Sequence, residues 1–213
     1  MKAAAIVSGA PNTVLDRKDF LGDDLFIIGA DRGALTLLEH GIVPHLAVGD
    51  FDSVDPEEFN QIKKSCQNIL PLNPEKDETD TEIALNFALE RGATEIFLYG
   101  GLGGRLDHTV ANIRLLLRFA KRGARINLLE SGNFLTILSP ARYAFSPSKY
   151  KYLSFFAMEG DVAGLTLKGV KYPLDEAILK PEDTLCISNE GLGGQVSVSF
   201  SSGYLLFIQS SDL

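Results

Sequence analysis

Two carboxylates, Asp50 and Asp52, stand two residues apart in Gly49-Asp50-Phe51-Asp52-Ser53, directly after the apolar run 46–48. In an extended chain such side chains point the same way, with Cα atoms roughly 6.5 Å apart. Neither adjoining residue is a base, and like charges this close raise each other's pKa unless a cation lies between them. The chemistry that fits is coordination of a hard cation such as magnesium through carboxylate oxygens. An isolated Asp-x-Asp reads as well as a surface turn with solvated acids. Asp77, Asp80 and Asp107 weigh against that reading, since they too fall where a strand-like run meets a helix-like one.

Two further stretches carry groups suited to phosphate. In Gly100-Gly101-Leu102-Gly103-Gly104-Arg105-Leu106-Asp107-His108, glycines between a strand and a helix let backbone N–H groups, Gly101 among them, approach an anion. Arg105 adds a fork of donors. Leu106 stands where the third glycine of a dinucleotide fingerprint would be, and no Walker A sequence occurs. Lys76-Asp77-Glu78-Thr79-Asp80 gathers a cation, acids and a hydroxyl, although Thr79 is equally a helix cap. Asp31-Arg32-Gly33 reads equally as an ordinary helix start, yet Asp31, like Asp50, Asp52, Asp80 and Asp107, falls where a strand gives way to a helix, a shared placement that points to one site. Of the histidines only His108 lies in a motif; His40 and His45 read as structural or exposed.

The elements that must position these groups alternate up to about residue 130. Strands are expected at 3–7, 25–28, 46–48, 68–72, 95–99 and 125–129. Helices are expected at 34–40, from Asp55-Pro56 onward, through Arg91 from a capping box at Thr79, and at 109–122. Continuous apolar strands joined through helices imply a mostly parallel sheet covered on both faces, with ligands beyond the carboxyl ends of its strands. After Ser131-Gly132-Asn133 no long helical pattern remains. Short runs at 135–138, 152–158, 165–167, 184–188, 196–200 and 204–208 suggest a small all-β, sandwich-like domain, with a hairpin turn at 191–194. The expected division is an α/β domain at 1–131 and a β-sandwich at 132–213.

The 213 residues are 45% apolar and 23% charged, with a net charge of −8 from 28 acids and 20 bases. That excludes a broad nucleic-acid or anionic-membrane surface, while a bound cation can still reverse the sign locally. No run approaches the roughly 20 apolar residues of a membrane span. Cys66 and Cys186 lack metal-ligand spacing and suggest reduced thiols in the cytoplasm.

The ordered set Asp31-Arg32-Gly33-Ala34, Gly49 to Ser53, Lys76 to Glu82, Gly100 to Asn112 and Ser188-Asn189-Glu190 resembles the thiamin pyrophosphokinase family, particularly its bacterial form, over essentially the whole chain. The resemblance implies an α/β ATP-binding catalytic domain followed by a thiamin-binding β-sandwich. It implies transfer of pyrophosphate from ATP to the hydroxyethyl oxygen of thiamin, giving thiamin diphosphate and AMP. It further implies a homodimer with thiamin held between the domains of two chains. Carried over residue by residue, Asp50, Asp52, Asp80 and Asp107, with Asp77 beside them, would hold magnesium and the triphosphate. Arg32, Lys76, Thr79, Gly101, Arg105 and His108 would contact the nucleotide. Ser188 and Asn189 would lie against thiamin; some relatives place a tryptophan there, and this chain has none.

Three rival readings stand beside this one. Asp50-x-Asp52-x-Val54 after a strand also looks like an aspartyl-phosphate phosphatase of the haloacid-dehalogenase type. A nucleotide sensor without catalysis would use the same acids, and a pyrophosphokinase could take another alcohol, such as a pterin.

Overall fold

The computed structural model describes residues 2–22, 24–146 and 148–212. The chain divides into two compact units, Met1–Ser131 and Gly132–Leu213.

In the first unit β1 (Ala3–Val7), β2 (Leu25–Ala30), α1 (Gly33–Glu39), β3 (Leu46–Gly49), α2 (Pro56–Ser65), β4 (Ile69–Pro71), α3 (Asp80–Glu90), β5 (Glu95–Tyr99), α4 (Leu106–Lys121) and β6 (Arg125–Glu130) follow in order. The strands lie side by side as β6-β5-β1-β2-β3-β4. Every adjacent pair is parallel. Parallel strands must be covered on both faces, and the apolar runs answer that need: Ala4, Ala5, Ile6 and Val7 of the central strand are fully buried. The expected cap of α2 is present. Asp55 Oδ1 accepts from the N–H groups of Glu57 and Glu58, and Glu58 Oε2 accepts from that of Asp55. Gly33 opens α1 hard against β1, where a Cβ would stand 1.9 Å from the Val7 carbonyl oxygen.

α4 differs from expectation. It starts at Leu106, so Asp107 and His108 belong to its first turn rather than to the glycine-rich loop. Arg105 caps it without a side-chain hydrogen bond, which leaves no capping residue to read.

The second unit holds β7 (Asn133–Leu138), β8 (Arg142–Phe145), β9 (Tyr152–Ala157), β10 (Val162–Lys168), β11 (Leu174–Leu179), β12 (Asn189–Glu190), β13 (Val196–Ser199) and β14 (Leu205–Ser210). Antiparallel layers β12-β9-β14-β7 and β11-β10-β13-β8 face each other. Phe207 on β14 meets Phe145 on β8 at 4.7 Å and Phe155 on β9 at 5.0 Å, closing a core that includes Leu165, Leu167 and Val198. This is the expected sandwich, with three local corrections. The 184–188 run is a turn, with Leu185 and Ile187 exposed. β8, with Tyr143 and Phe145 alternately turned to the core, and β11, which carries no clear alternation, lie outside the expected runs. The 191–194 stretch passes from β12 in one layer to β13 in the other, so it is no hairpin.

Candidate active site

β2 and β3 pair with Ala30 opposite Val48, so the residues that follow them, Asp31 and Asp50, leave the sheet side by side. The acidic pair of the opening motif is not extended. Phe51 adopts φ +59°, a left-handed turn that costs a non-glycine residue about 1–2 kcal/mol. The Phe51 ring is buried against Phe59 at 4.9 Å, and burying such a side chain contributes about 1.5–3 kcal/mol. Burial therefore outweighs strain, and the aromatic anchor turns both acids outward. Asp52 N–H donates to Asp50 Oδ1 at 3.2 Å and closes the turn.

Asp31 joins them. Its backbone also bends left-handed, at φ +52°, with its N–H held by the Val48 carbonyl at 2.7 Å. Ser53 Oγ donates to Asp31 Oδ2 at 2.5 Å. One carboxylate oxygen each from Asp31, Asp50 and Asp52 lies within 4.8 Å of the others. Asp31 Oδ1 is buried and has no hydrogen-bond partner among the described residues. An all-oxygen set with an orphaned buried acceptor suits a hard divalent cation. By position in the sequence Asp31 falls with the other strand-end acids but carries no ligand signal of its own; Gly49 at the end of β3 and the acids two residues apart around Phe51 are the local signals of a special turn.

Lys76 Nζ lies 3.0 Å from Asp80 Oδ1 and 3.4 Å from Asp50 Oδ2. Burial pulls the Lys76 ammonium down, but its bonds to Asp80 and Asp50 hold it above its usual value. Desolvation raises the Asp31 carboxyl against the pull of Ser53, and raises that of Asp80 against the pull of Lys76. Asp52 is raised first by the charge of Asp50. The cluster is thus short of positive charge even with one lysine inside it.

These groups share a cleft of about 520 Å³ with Thr79, Thr81, Gly101, Arg105 and His108. Gly100, at φ +66°, packs so closely that a Cβ would meet the Ser8 carbonyl oxygen at 2.5 Å. Three expected members stand apart. Asp107 is exposed and turned onto Arg105, whose guanidinium donates to it at 2.6 and 3.2 Å and holds its carboxyl below the usual range. Asp77 is exposed and does not line the cleft. Arg32 spends its fork on Glu58, at 3.0 and 3.2 Å, and on the Ser53 carbonyl at 3.0 Å, bracing the acidic turn against α2. Thr79 caps α3 by accepting from the Glu82 N–H, and it lines the cleft as well.

In the second unit Ser188 is exposed at φ +55°. Asn189 is buried: its Oδ1 accepts from the N–H groups of Tyr172 and Glu190, and its Nδ2 donates to the Tyr172 carbonyl at 2.8 Å. Its side chain thereby fixes the backbone of Tyr172, a residue that is 60% exposed. Sequence reasoning named Asn189 and missed Tyr172, which only the fold brings to it.

The fold and the cleft define a class: an α/β protein with a polar ligand cleft at the carboxyl edge of a parallel sheet, followed in sequence by an antiparallel sandwich. Residues 18–128 match the family model described as thiamin pyrophosphokinase, catalytic domain, and residues 142–205 match thiamin pyrophosphokinase, vitamin B1 binding domain. Thiamine pyrophosphokinase of Bacillus subtilis is 38% identical over the whole of both chains. The crystal structure of thiamine pyrophosphokinase from Bacillus subtilis superposes with TM-score 0.93 at 37% identity, covering 100% of each chain. That of thiamin pyrophosphokinase from Geobacillus thermodenitrificans gives 0.89 at 40%, covering 99% of this chain and 98% of its own. The chain belongs to the thiamin pyrophosphokinase family.

Proposed function

We propose that the Asp31-Asp50-Asp52 cleft is where this chain carries out the reaction of its family, transfer of pyrophosphate from ATP to thiamin with release of AMP. The observation that carries this reading is the three carboxylate oxygens within 4.8 Å of one another at the ends of β2 and β3. Magnesium, held by Asp31, Asp50 and Asp52 with Asp80 beside them, would neutralise triphosphate charge there. Attack at the β-phosphorus needs in-line placement and stabilisation of charge on phosphate oxygens. Lys76 supplies one fixed cation. Arg105, exposed at the rim, supplies a second by exchanging Asp107 for a phosphate. The glycine-rich turn offers backbone donors, and His108 closes that side of the cleft.

The finer reading extends to the whole molecule. The first unit binds ATP, the second takes thiamin beside Ser188, Asn189 and Tyr172, and two chains associate in the cytoplasm. Exposed Leu106 and Val110 on one face of α4, and Leu185, Ile187 and Leu192 in the second unit, are apolar surface that association would cover. The aspartyl-phosphate phosphatase reading gains nothing from the comparisons.

The decisive assay is AMP release from magnesium-ATP with and without thiamin. AMP formed only when thiamin is present supports the reading. Equal release without thiamin, or release of inorganic phosphate through a covalent aspartyl adduct, overturns it.

A further inference from the structure

Ser8 is the residue that leaves β1, and it belongs to none of the motifs that mark the site. Val7 pairs with Gly29 on β2 and with Tyr99 on β5, so Ser8 leaves the sheet level with Ala30 and Gly100. It therefore stands between the two halves of the cleft. Asp31 follows β2 on one side, and the glycine-rich turn follows β5 on the other. Its backbone is fixed there. The Ser8 N–H donates to the Tyr99 carbonyl at 2.8 Å. A Cβ on Gly33 would stand 3.0 Å from the Ser8 nitrogen, and one on Gly100 2.5 Å from its carbonyl oxygen, so α1 and the turn close onto it from both sides.

The side chain is placed as firmly. Ser8 is nearly buried, and its Oγ lies 2.8 Å from Oγ1 of Thr81, in the first turn of α3. Both residues line the cleft. Two hydroxyls carry two protons, and the contact between them uses one. One O–H is left over whichever oxygen donates, and among the described residues neither oxygen has a second partner. The neighbouring carboxylate does not take that proton, since Asp31 accepts from Ser53 instead. The pair thus holds one neutral donor ready in a cleft that is short of positive charge, where a hydrogen bond to an anion is of the stronger, charge-assisted kind.

We propose that Ser8 is a binding residue for the nucleotide: its Oγ donates to a phosphate oxygen where the triphosphate crosses from the metal-binding acids to the glycine-rich turn, and Thr81, donating to Ser8, positions it. This rests on the reading of the cleft as the ATP site. Sheet order gives the two ends of that span, and β1 is the strand between them. A hydroxyl that accepts from Thr81 while donating to phosphate is polarised by the first bond and strengthened in the second. A mere tie between β1 and α3 would instead bear on stability and on both substrates alike.

The test measures AMP release at varied magnesium-ATP and at varied thiamin, with thermal melting of each variant. In the parent, AMP release has to require thiamin; if it does not, the reading of the cleft fails and this proposal falls with it. Given that dependence, Ser8→Ala is expected to lower kcat/KM for magnesium-ATP about tenfold, the size of a lost hydrogen bond to a charged group. The KM for thiamin should stay within about twofold and the Tm within about two degrees. Thr81→Val, which leaves Ser8 its proton but not its orientation, is expected to lose about threefold, and Thr81→Ser to match the parent. Should Thr81→Val not fold, Ser8→Ala and Thr81→Ser decide between them. Ser8→Ala at the parent value for magnesium-ATP overturns the binding role while leaving the reading of the cleft intact. A larger loss in Thr81→Val than in Ser8→Ala overturns the direction of donation. Equal rises in KM for both substrates, with a lowered Tm, mark a tie between β1 and α3 and also overturn the proposal.

Discussion

The two units treat their polar groups in opposite ways. At the strand ends of the first unit, Asp31, Asp50 and Asp52 converge on one another and Asp31 Oδ1 has no partner among the described residues. In the second unit the amide of Asn189 makes three hydrogen bonds to backbone, Ser154 Oγ accepts from the Ser188 N–H, and Gln209 accepts from Ser148 Oγ. The first arrangement leaves repulsion that Lys76 and Ser53 relieve only in part, whereas in the second these polar groups are paired within the chain. Binding to the first region should stabilise it strongly, and binding to the second should depend on a surface that is already shaped.

The sharpest way to break this contrast is to discharge the first region. Asp50→Asn and Asp52→Asn are each expected to lower kcat/KM for AMP release by about 10²-fold or more. Turnover of Asp52→Asn within about threefold of the parent would undo the metal assignment. Next in size is the loss of a saturated partner. Asn189→Ala strands the N–H and carbonyl of Tyr172 and the Glu190 N–H, so a cost of about 1–3 kcal/mol is expected. It should appear in thermal melting, together with a raised KM for thiamin and an unchanged KM for ATP. A variant that melts with the parent would show that these bonds hold nothing in place.

A smaller effect of opposite sign is expected at Asp31. The carboxyls of Asp31, Asp52 and Asp80 are raised, so through the weakly acidic range the folded state binds more protons than the unfolded chain. The metal-free protein therefore loses stability from these groups as pH rises above the ordinary carboxylate range, and regains it as pH falls. Asp31→Asn should flatten that slope and raise the metal-free Tm by a few degrees, about 1 kcal/mol or less after solvent screening. Magnesium is expected to raise the parent Tm and to have little effect on that of the variant. A lower metal-free Tm would mean that the Ser53 hydrogen bond outweighs the repulsion. The smallest effect is expected for Arg32→Ala, whose partly exposed pairing with Glu58 contributes about 0.2–1 kcal/mol. The KM for ATP should stay within about twofold; a tenfold rise would restore the nucleotide contact that the motif implies.

The sequence shows most of the first unit because its strands are buried on both faces. The apolar run 3–7 and the run 95–99, apolar after Glu95, have the bounds of β1 and β5, and the Asp55-Pro56-x-Glu58 cap marks the start of α2 to the residue. The second unit is less legible where edge strands are irregular. β11 has Glu176 at φ +46° and a register shift against β10, which break its alternation. The apolar 184–188 run looks like a strand because Leu185 and Ile187 alternate, yet both face outward. At the site, Asp50, Asp52, Lys76, Asp80 and Arg105 are found by type and spacing. Asp31 is placed with them by position but not marked as a ligand, because its meeting with Asp50 and Asp52 depends on a left-handed turn and on the β2–β3 register. Asp107 and Asp77 match by type, but neighbouring geometry turns them away.

One further consequence concerns the order in which the first unit can assemble. β1 lies between β2 and β5, with Ala3 opposite both Leu25 and Glu95. During synthesis this apolar strand has one neighbour early and must wait for the other until β5 has been made. Until then its free edge is open to pairing with another chain. Pairings this distant in sequence also slow folding. The acids of the cleft, all carried between β2 and α3, are in place on the chain before the sheet that holds them can close.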